Sequence, residues 1–142
     1  MKFLLIFLSI VLIEKGCNQS KINQENISVE YTASSRGIYK QIIVDKKTIS
    51  TLQKRGGIPT TKVCNETYWD NLIKVIKSIN IDSISSLQAP SKAFQYDGAA
   101  IANLKITHNG KTHETPPFDH GNPPKKIAEL VKEILSISEN IE

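Results

Sequence analysis

From Ile27 the chain alternates: Ile27, Val29, Tyr31 and Ala33 are apolar, and the residues between them are polar. A strand points successive side chains to opposite faces, so this period of two predicts a strand with one wet side and one dry side. Ile38, Ile42 and Val44 continue the pattern, with Lys40 interrupting it. A tight connection through Ser35 and Arg36 predicts that Ala33 pairs with Ile38, Val29 with Ile42 and Ile27 with Val44, which puts apolar partners on one face. The chain is thereby committed to an antiparallel sheet whose dry side needs a cover.

The same alternation carries on through a turn at Asp45–Thr48 into a third strand from Ile49 to Lys54. "KRGG" supplies a further turn, and a fourth strand follows from Thr60 to Cys64. That strand sets Cys64 beside Ile49 on the face of Val44, where a thiol behaves as a small hydrophobe. Then the period changes. In "NETYWDNLIKVIKSIN" the residues Trp69, Leu72, Ile73, Ile76 and Ile79 recur at three and four, the stripe of one helical face. Asn65 or Thr67 can cap its start, and Thr67 with Asp70 resembles a capping box. On that stripe Trp69 reads as core, not as a ligand platform.

After a Ser-rich loop with Pro90, "AAIANLKIT" and "KTHETPPF" flank His108-Asn109-Gly110-Lys111, and Asn-Gly is the strongest short hairpin signal in the chain. A two-residue loop pairs Lys105 with Glu114 and Ile106 with His113. Pro116 and Pro117 have no N–H to donate, so this strand lies at a sheet edge or stops there. Ile127, Leu130, Val131, Ile134 and Leu135 mark a second amphipathic helix, with Asn122 as its N-cap and Pro123 at its first position. The expected fold is α+β: an antiparallel sheet of five to six strands, ordered meander, helix, hairpin, helix, with both helices on one face. It occupies residues 27–142 as a single domain, as the length of 142 residues and the ordinary 23% charged and 39% hydrophobic composition suggest.

The beginning of the chain reads differently. "MKFLLIFLSIVLIEKGC" is basic at Lys2 and apolar from Phe3 to Ile13 apart from Ser9. That run is shorter than the roughly 20 residues a membrane span needs and fits the apolar part of an export signal. Gly16-Cys17 supplies the small residue and cysteine at which lipoprotein signals are processed, although Glu14 and Lys15 replace the usual leucine-like and small residues before them. The expectation is a signal over 1–16, a lipid on Cys17 that attaches the protein to a membrane, and a polar tether over 17–26. Cleavage by the general signal peptidase, giving a secreted protein, is the alternative. Processing removes Lys2, Lys15 and Glu14, two positive charges and one negative, and takes the net charge from +4 to +3. So mild an excess, with no basic stripe and no recognisable module, argues against nucleic acid as a partner.

One stretch carries the candidate chemistry. "PPFDHGNPP" is largely accounted for as the punctuation between a strand and a helix, but Asp119 and His120 are not. Extending the hairpin register brings Asp97-Gly98 opposite Gly121-Asn122, which gathers Tyr96, Asp97, Asp119 and His120 on one edge. Two carboxylates and an imidazole can hold a metal ion or exchange a proton; the alternative is that both aspartates bond turn amides and His120 packs over a strand end. His108 and His113 stand about 20–30 Å away at ~3.3 Å per residue, which disfavours a three-histidine centre. Lys125, Lys126 and His120 suggest an anion pocket at the last helix, which Pro123 and Pro124 weaken by removing N–H donors.

The export-like start, the polar tether, "ISVEYTASSRGIYKQI", "YDGAA" and "FDHGNPP" before a last helix resemble small uncharacterised lipoproteins of Bacteroidota type. The resemblance implies a cell-envelope address on the periplasmic side of a membrane and carries no activity with it. Three functions follow as expectations: a non-enzymatic binding module facing another envelope component, with no cofactor; a metal-binding protein or hydrolase using Asp97, Asp119 and His120; or an inhibitor of a secreted enzyme. The sequence holds no Gly-rich phosphate loop, CxxC pair or nucleophile elbow.

Overall fold

A computed structural model describes residues 26–140, so the expected signal, Cys17 and all but the last residue of the tether lie outside the described residues. Four strands come first: β1 (Ile27–Ser34), β2 (Tyr39–Asp45), β3 (Thr48–Leu52) and β4 (Thr60–Val63). Helix α1 (Glu66–Lys77) follows, then β5 (Ile101–His108), β6 (Lys111–Glu114), the two-residue β7 (Phe118–Asp119) and helix α2 (Ala128–Glu139). Short 3₁₀ turns stand at Ile81–Ser86, Ala93–Tyr96 and Lys125–Ile127. The strands form one antiparallel sheet in the order β4-β3-β2-β1-β5-β6, with β7 also on β5. The fold is α+β, and the first strand runs through its middle.

The alternation does what its period requires. Val29, Tyr31, Ala33, Ile42, Val44, Ile49, Leu104 and Ile106 turn to one face and are buried. The α1 residues Trp69, Leu72, Ile73 and Ile76 and the α2 residues Leu130, Val131, Ile134 and Ile137 join them in a single core. Each such aliphatic side chain contributes about 1.5–3 kcal/mol on burial, so it is this shared face that holds the helices to the sheet. Cys64 is buried at its margin. Among the described residues, Trp69 Nε1 is buried without a hydrogen-bond partner, so its ring is held by packing alone.

The β1–β2 register differs from the expected one by two residues. Val29 pairs with Val44 and Tyr31 with Ile42, because the connection is four residues long, not two. Ser35 N–H donates to Ile38 O at 2.8 Å and Ile38 N–H to Ser35 Oγ at 3.2 Å. Ile38 therefore belongs to the loop and is half exposed. A slip of two leaves every side chain on its expected face, which is why the core survives the error. At the next turn the Asp45 carboxylate accepts the N–H groups of Lys47 and Thr48, both at 2.7 Å, and β3 starts at Thr48 and ends at Leu52, before Lys54.

Asn65 is the cap of α1: its side chain accepts Tyr68 N–H at 2.9 Å, so the alternative start at Thr67 with Asp70 is not used. The β5–β6 hairpin has the expected pairs Lys105 with Glu114 and Ile106 with His113. Its turn residues Asn109 and Gly110 both have positive φ, 51° and 78°, the mirror-image turn that only this kind of dipeptide enters cheaply.

Beyond the hairpin the prolines change the register. Thr115 N–H still bonds Leu104 O at 2.9 Å, but Ala102 then pairs with Phe118 and Ile101 with Asp119. One residue has been accommodated as a bulge where Pro116 and Pro117 cannot donate. The expected meeting of Asp97-Gly98 with Gly121-Asn122 does not form; His120 N–H bonds Ala100 O instead, at 2.9 Å. Asn122 is not a helix cap either. It closes a turn on Asp119 through its own N–H, at 2.9 Å, because a residue before proline is pushed out of the helical region and two successive prolines delay the helix. Pro124 is extended at φ −52°, ψ 138°, the 3₁₀ turn follows, and α2 starts at Ala128.

Candidate functional site

The end of β7 places Asp119 and His120 next to each other in sequence and on different partners in space. Strand alternation sends their side chains in opposite directions, and each meets a different part of the fold.

Asp119 is buried under the segment that leads to the Ala93–Tyr96 turn. Its Oδ2 accepts Ser91 Oγ at 2.5 Å and Ala93 N–H at 3.0 Å, and its Oδ1 accepts Phe94 N–H at 2.7 Å. Burial on its own would raise the carboxyl's pKa, but the bonds from Ser91, Phe94 and Ala93 outweigh it and hold Asp119 below its ordinary value. Asn122 extends the network by donating its side-chain amide to Ser91 Oγ at 2.7 Å. The carboxylate is thus a fastener that ties the loop of residues 91–94 to the end of the sheet.

His120 turns the other way, to the centre of the sheet. Its Nδ1 lies 2.6 Å from Tyr31 Oη, and the two rings are 6.0 Å apart. Tyr31 is fully buried and its ring leans on Phe118, 6.4 Å away. Burial pushes the Tyr31 phenol far above its ordinary value. Burial, with Lys40 nearby, also pulls His120 below its ordinary value. Both shifts favour neutral groups, so we assign the contact as Tyr31 O–H donating to the Nδ1 lone pair of neutral imidazole.

Tyr96 and Asp97 stand away from this pair, on the surface. Tyr96 is 75% exposed. The Asp97 carboxylate is 3.9 Å from the Arg36 guanidinium, with both side chains in solvent, a pair of small energetic worth. Asp97 also takes positive φ, 59°, at the end of the 3₁₀ turn, where aspartate is better tolerated than most residues. Of the four residues gathered by sequence, then, Asp119 bonds a loop, His120 bonds Tyr31, and Tyr96 and Asp97 face water. Among the described residues no group of three or more His, Cys, Asp or Glu is placed to hold a metal ion. Lys125 and Lys126, the lysines of the suggested anion pocket, are exposed at the 3₁₀ turn before α2.

Cys64 offers no activated nucleophile. Burial and then the Asp45 charge raise its thiol above the ordinary value, and its Sγ faces Asn65 O at 3.7 Å. Thiolate chemistry needs the opposite shift. The residue that sequence reasoning passed over is Tyr31, read only as a strand position; a large polar-tipped residue in a dry row signals a buried partner for its hydroxyl.

Compared with protein-family models, with curated proteins and with solved structures, the chain matches none. Among the described residues no helix is long and apolar enough to cross a membrane.

Proposed function

We propose that this chain is a small envelope protein, held at a membrane by a lipid on Cys17, whose folded domain is a non-enzymatic binding module. The observation that supports the binding half is the use made of the reactive side chains. Asp119 is engaged by three donors, His120 by a buried phenol, and Cys64 is buried with its thiol disfavoured as thiolate. A hydrolase needs a nucleophile or bound water beside a base with a free lone pair, and these groups are turned away from one another. The address rests on the apolar run from Phe3 to Ile13, on Gly16-Cys17, and on the resemblance to small lipoproteins of Bacteroidota type.

Mass spectrometry of the protein taken from membranes of its host tests the address. A mature chain starting at an acylated Cys17 is the expected result; an unprocessed chain recovered from the cell interior overturns it. Elemental analysis and His120→Ala test the binding half. Stoichiometric metal, or a hydrolytic activity that His120→Ala abolishes, would return the metal-binding or hydrolase reading through Asp97, Asp119 and His120.

A further inference from the structure

The two edges of the sheet are treated differently. At the β6 edge, Lys111 Nζ and His113 Nε2 both reach Asp82 Oδ1 of the Ile81–Ser86 turn, at 3.6 Å each, and the prolines end the strand. That edge is abutted by the turn, although Lys111, Thr112 and Glu114 stay exposed. At the β4 edge all four residues are exposed. Ile58 and Val63, the most exposed of the large apolar side chains described, are 93% and 82% accessible there.

The backbone of β4 identifies which groups are free. Cys64 N–H donates to Lys47 O at 2.9 Å, in register with the pairs Ile49–Lys62 and Thr51–Thr60. Backbone groups alternate sides along an antiparallel strand, so Lys62 and Thr60 bond inward to β3, and Thr61 and Val63 point their N–H and C=O outward. A single edge strand thus offers two donors and two acceptors at the spacing another strand needs, beside two bare apolar side chains.

Charge chooses among the occupants. Residues 46–65 contain Lys46, Lys47, Lys54, Arg55 and Lys62 and no carboxylate. The flanking Asp45 accepts turn amides, and Glu66 stands at the start of α1, where the helix dipole favours it. A second copy pairing through β4 would set two such cationic ribbons against each other. The tether of residues 17–26, with Lys21 and Glu25, has no net charge to offer.

We infer that β4 is a strand-addition site for an extended acidic segment of another protein, whose backbone bonds Thr61 and Val63 and whose carboxylates face Lys62. Lys62 discourages self-pairing and selects the acidic partner by the same charge. This inference rests on the binding-module reading and names its surface.

The test uses the chain as its host matures it, titrated with a short capped peptide alternating glutamate and valine, and with the same peptide carrying lysine for glutamate. The glutamate peptide should bind in a salt-sensitive way and slow hydrogen exchange at the Thr61 and Val63 amides; the lysine peptide should not. Thr61→Pro and Val63→Pro each remove one outward donor and leave the β3 ladder intact, and each should weaken binding by about tenfold, the size of one backbone bond. Lys62→Glu should abolish the preference for the glutamate peptide. Equal binding of both peptides, protection elsewhere, protection of β4 by self-association without peptide, or binding to anionic vesicles but not to peptide would each overturn the proposal. An acylated Cys17 with no peptide binding removes this inference alone, and an unacylated chain that binds the peptide removes only the address.

Discussion

Tyr31→Phe deletes one oxygen from a fully buried ring and leaves the ring itself against Phe118. What is lost is the 2.6 Å bond to His120, and a typical internal hydrogen bond is worth about 0.5–1.5 kcal/mol net. His120 is only partly accessible, so water replaces the missing donor incompletely and the loss falls at the upper end, about 1–1.5 kcal/mol. For a domain of this size that lowers the melting temperature by about 4–6 °C.

The pH dependence of stability should change as well. His120 is held below its ordinary value, first by burial and then by Lys40, so just below pH ~6.5 the unfolded chain binds more protons than the folded one. The stability linked to His120 is therefore complete above that pH and is lost as pH falls through the window beneath it. Without Tyr31's hydroxyl a bond that only neutral imidazole can accept is gone, His120 moves back towards its ordinary value, and the acid loss shrinks. At the alkaline end the raised phenol contributes stability that is complete below pH ~10 and declines above it, a decline that Tyr31→Phe abolishes. Urea denaturation of both proteins across this range measures all three effects. A double-mutant cycle with His120→Ala should give a coupling of about 1 kcal/mol. Equal midpoints and equal acid slopes for wild type and Tyr31→Phe would refute the assignment of a neutral, stabilising Tyr31–His120 bond.

Asp119→Asn places one carbonyl oxygen and one amide where three donors converge, so limited proteolysis should cut within residues 91–97 faster than in wild type while the core stays folded. Because the Asp119 carboxyl is held below its ordinary value, its contribution is present above pH ~3.9 and lost as pH falls further, and the wild-type loop should open in that acid range. Asn65→Ala should cost about 1 kcal/mol in denaturant titrations through the lost cap, whereas Thr67→Ala should stay within about 0.5 kcal/mol, and a reversal would mean α1 starts a turn later. Cys64 should react with a thiol reagent only on unfolding; rapid reaction of the native protein would show that it is not core.

Periodicity reveals which residues are dry, and so it locates the core on both helices and on β1, β2 and β3. It is blind to shifts that preserve parity. The Ser35–Ile38 loop moved the first hairpin by two residues without exchanging a single face, and nothing in the alternation could signal that. Prolines were legible as stops, but their effect on register was not: Pro116 and Pro117 let the strand resume one residue out of step at Phe118. The site suffered most from this. Asp119 and His120 stood out as ionisable residues in a turn, yet their partners lie 25 to 28 residues away at Ser91, Ala93 and Phe94, and 89 away at Tyr31. Such pairings depend on β5 docking against the free side of β1, a contact between distant segments that local patterning does not encode.

That docking also has a mechanical meaning. Among the described residues the first strand, β1, is hydrogen-bonded along both of its sides, to β2 and to β5. A pull along β1 from its Ile27 end would load both ladders together in shear, so that many bonds resist at once instead of opening one after another like a zip. A load hung on the outermost strand, by contrast, would meet a single ladder of four pairs. The middle position of β1 thus suits the domain to staying folded when force is applied at its Ile27 end.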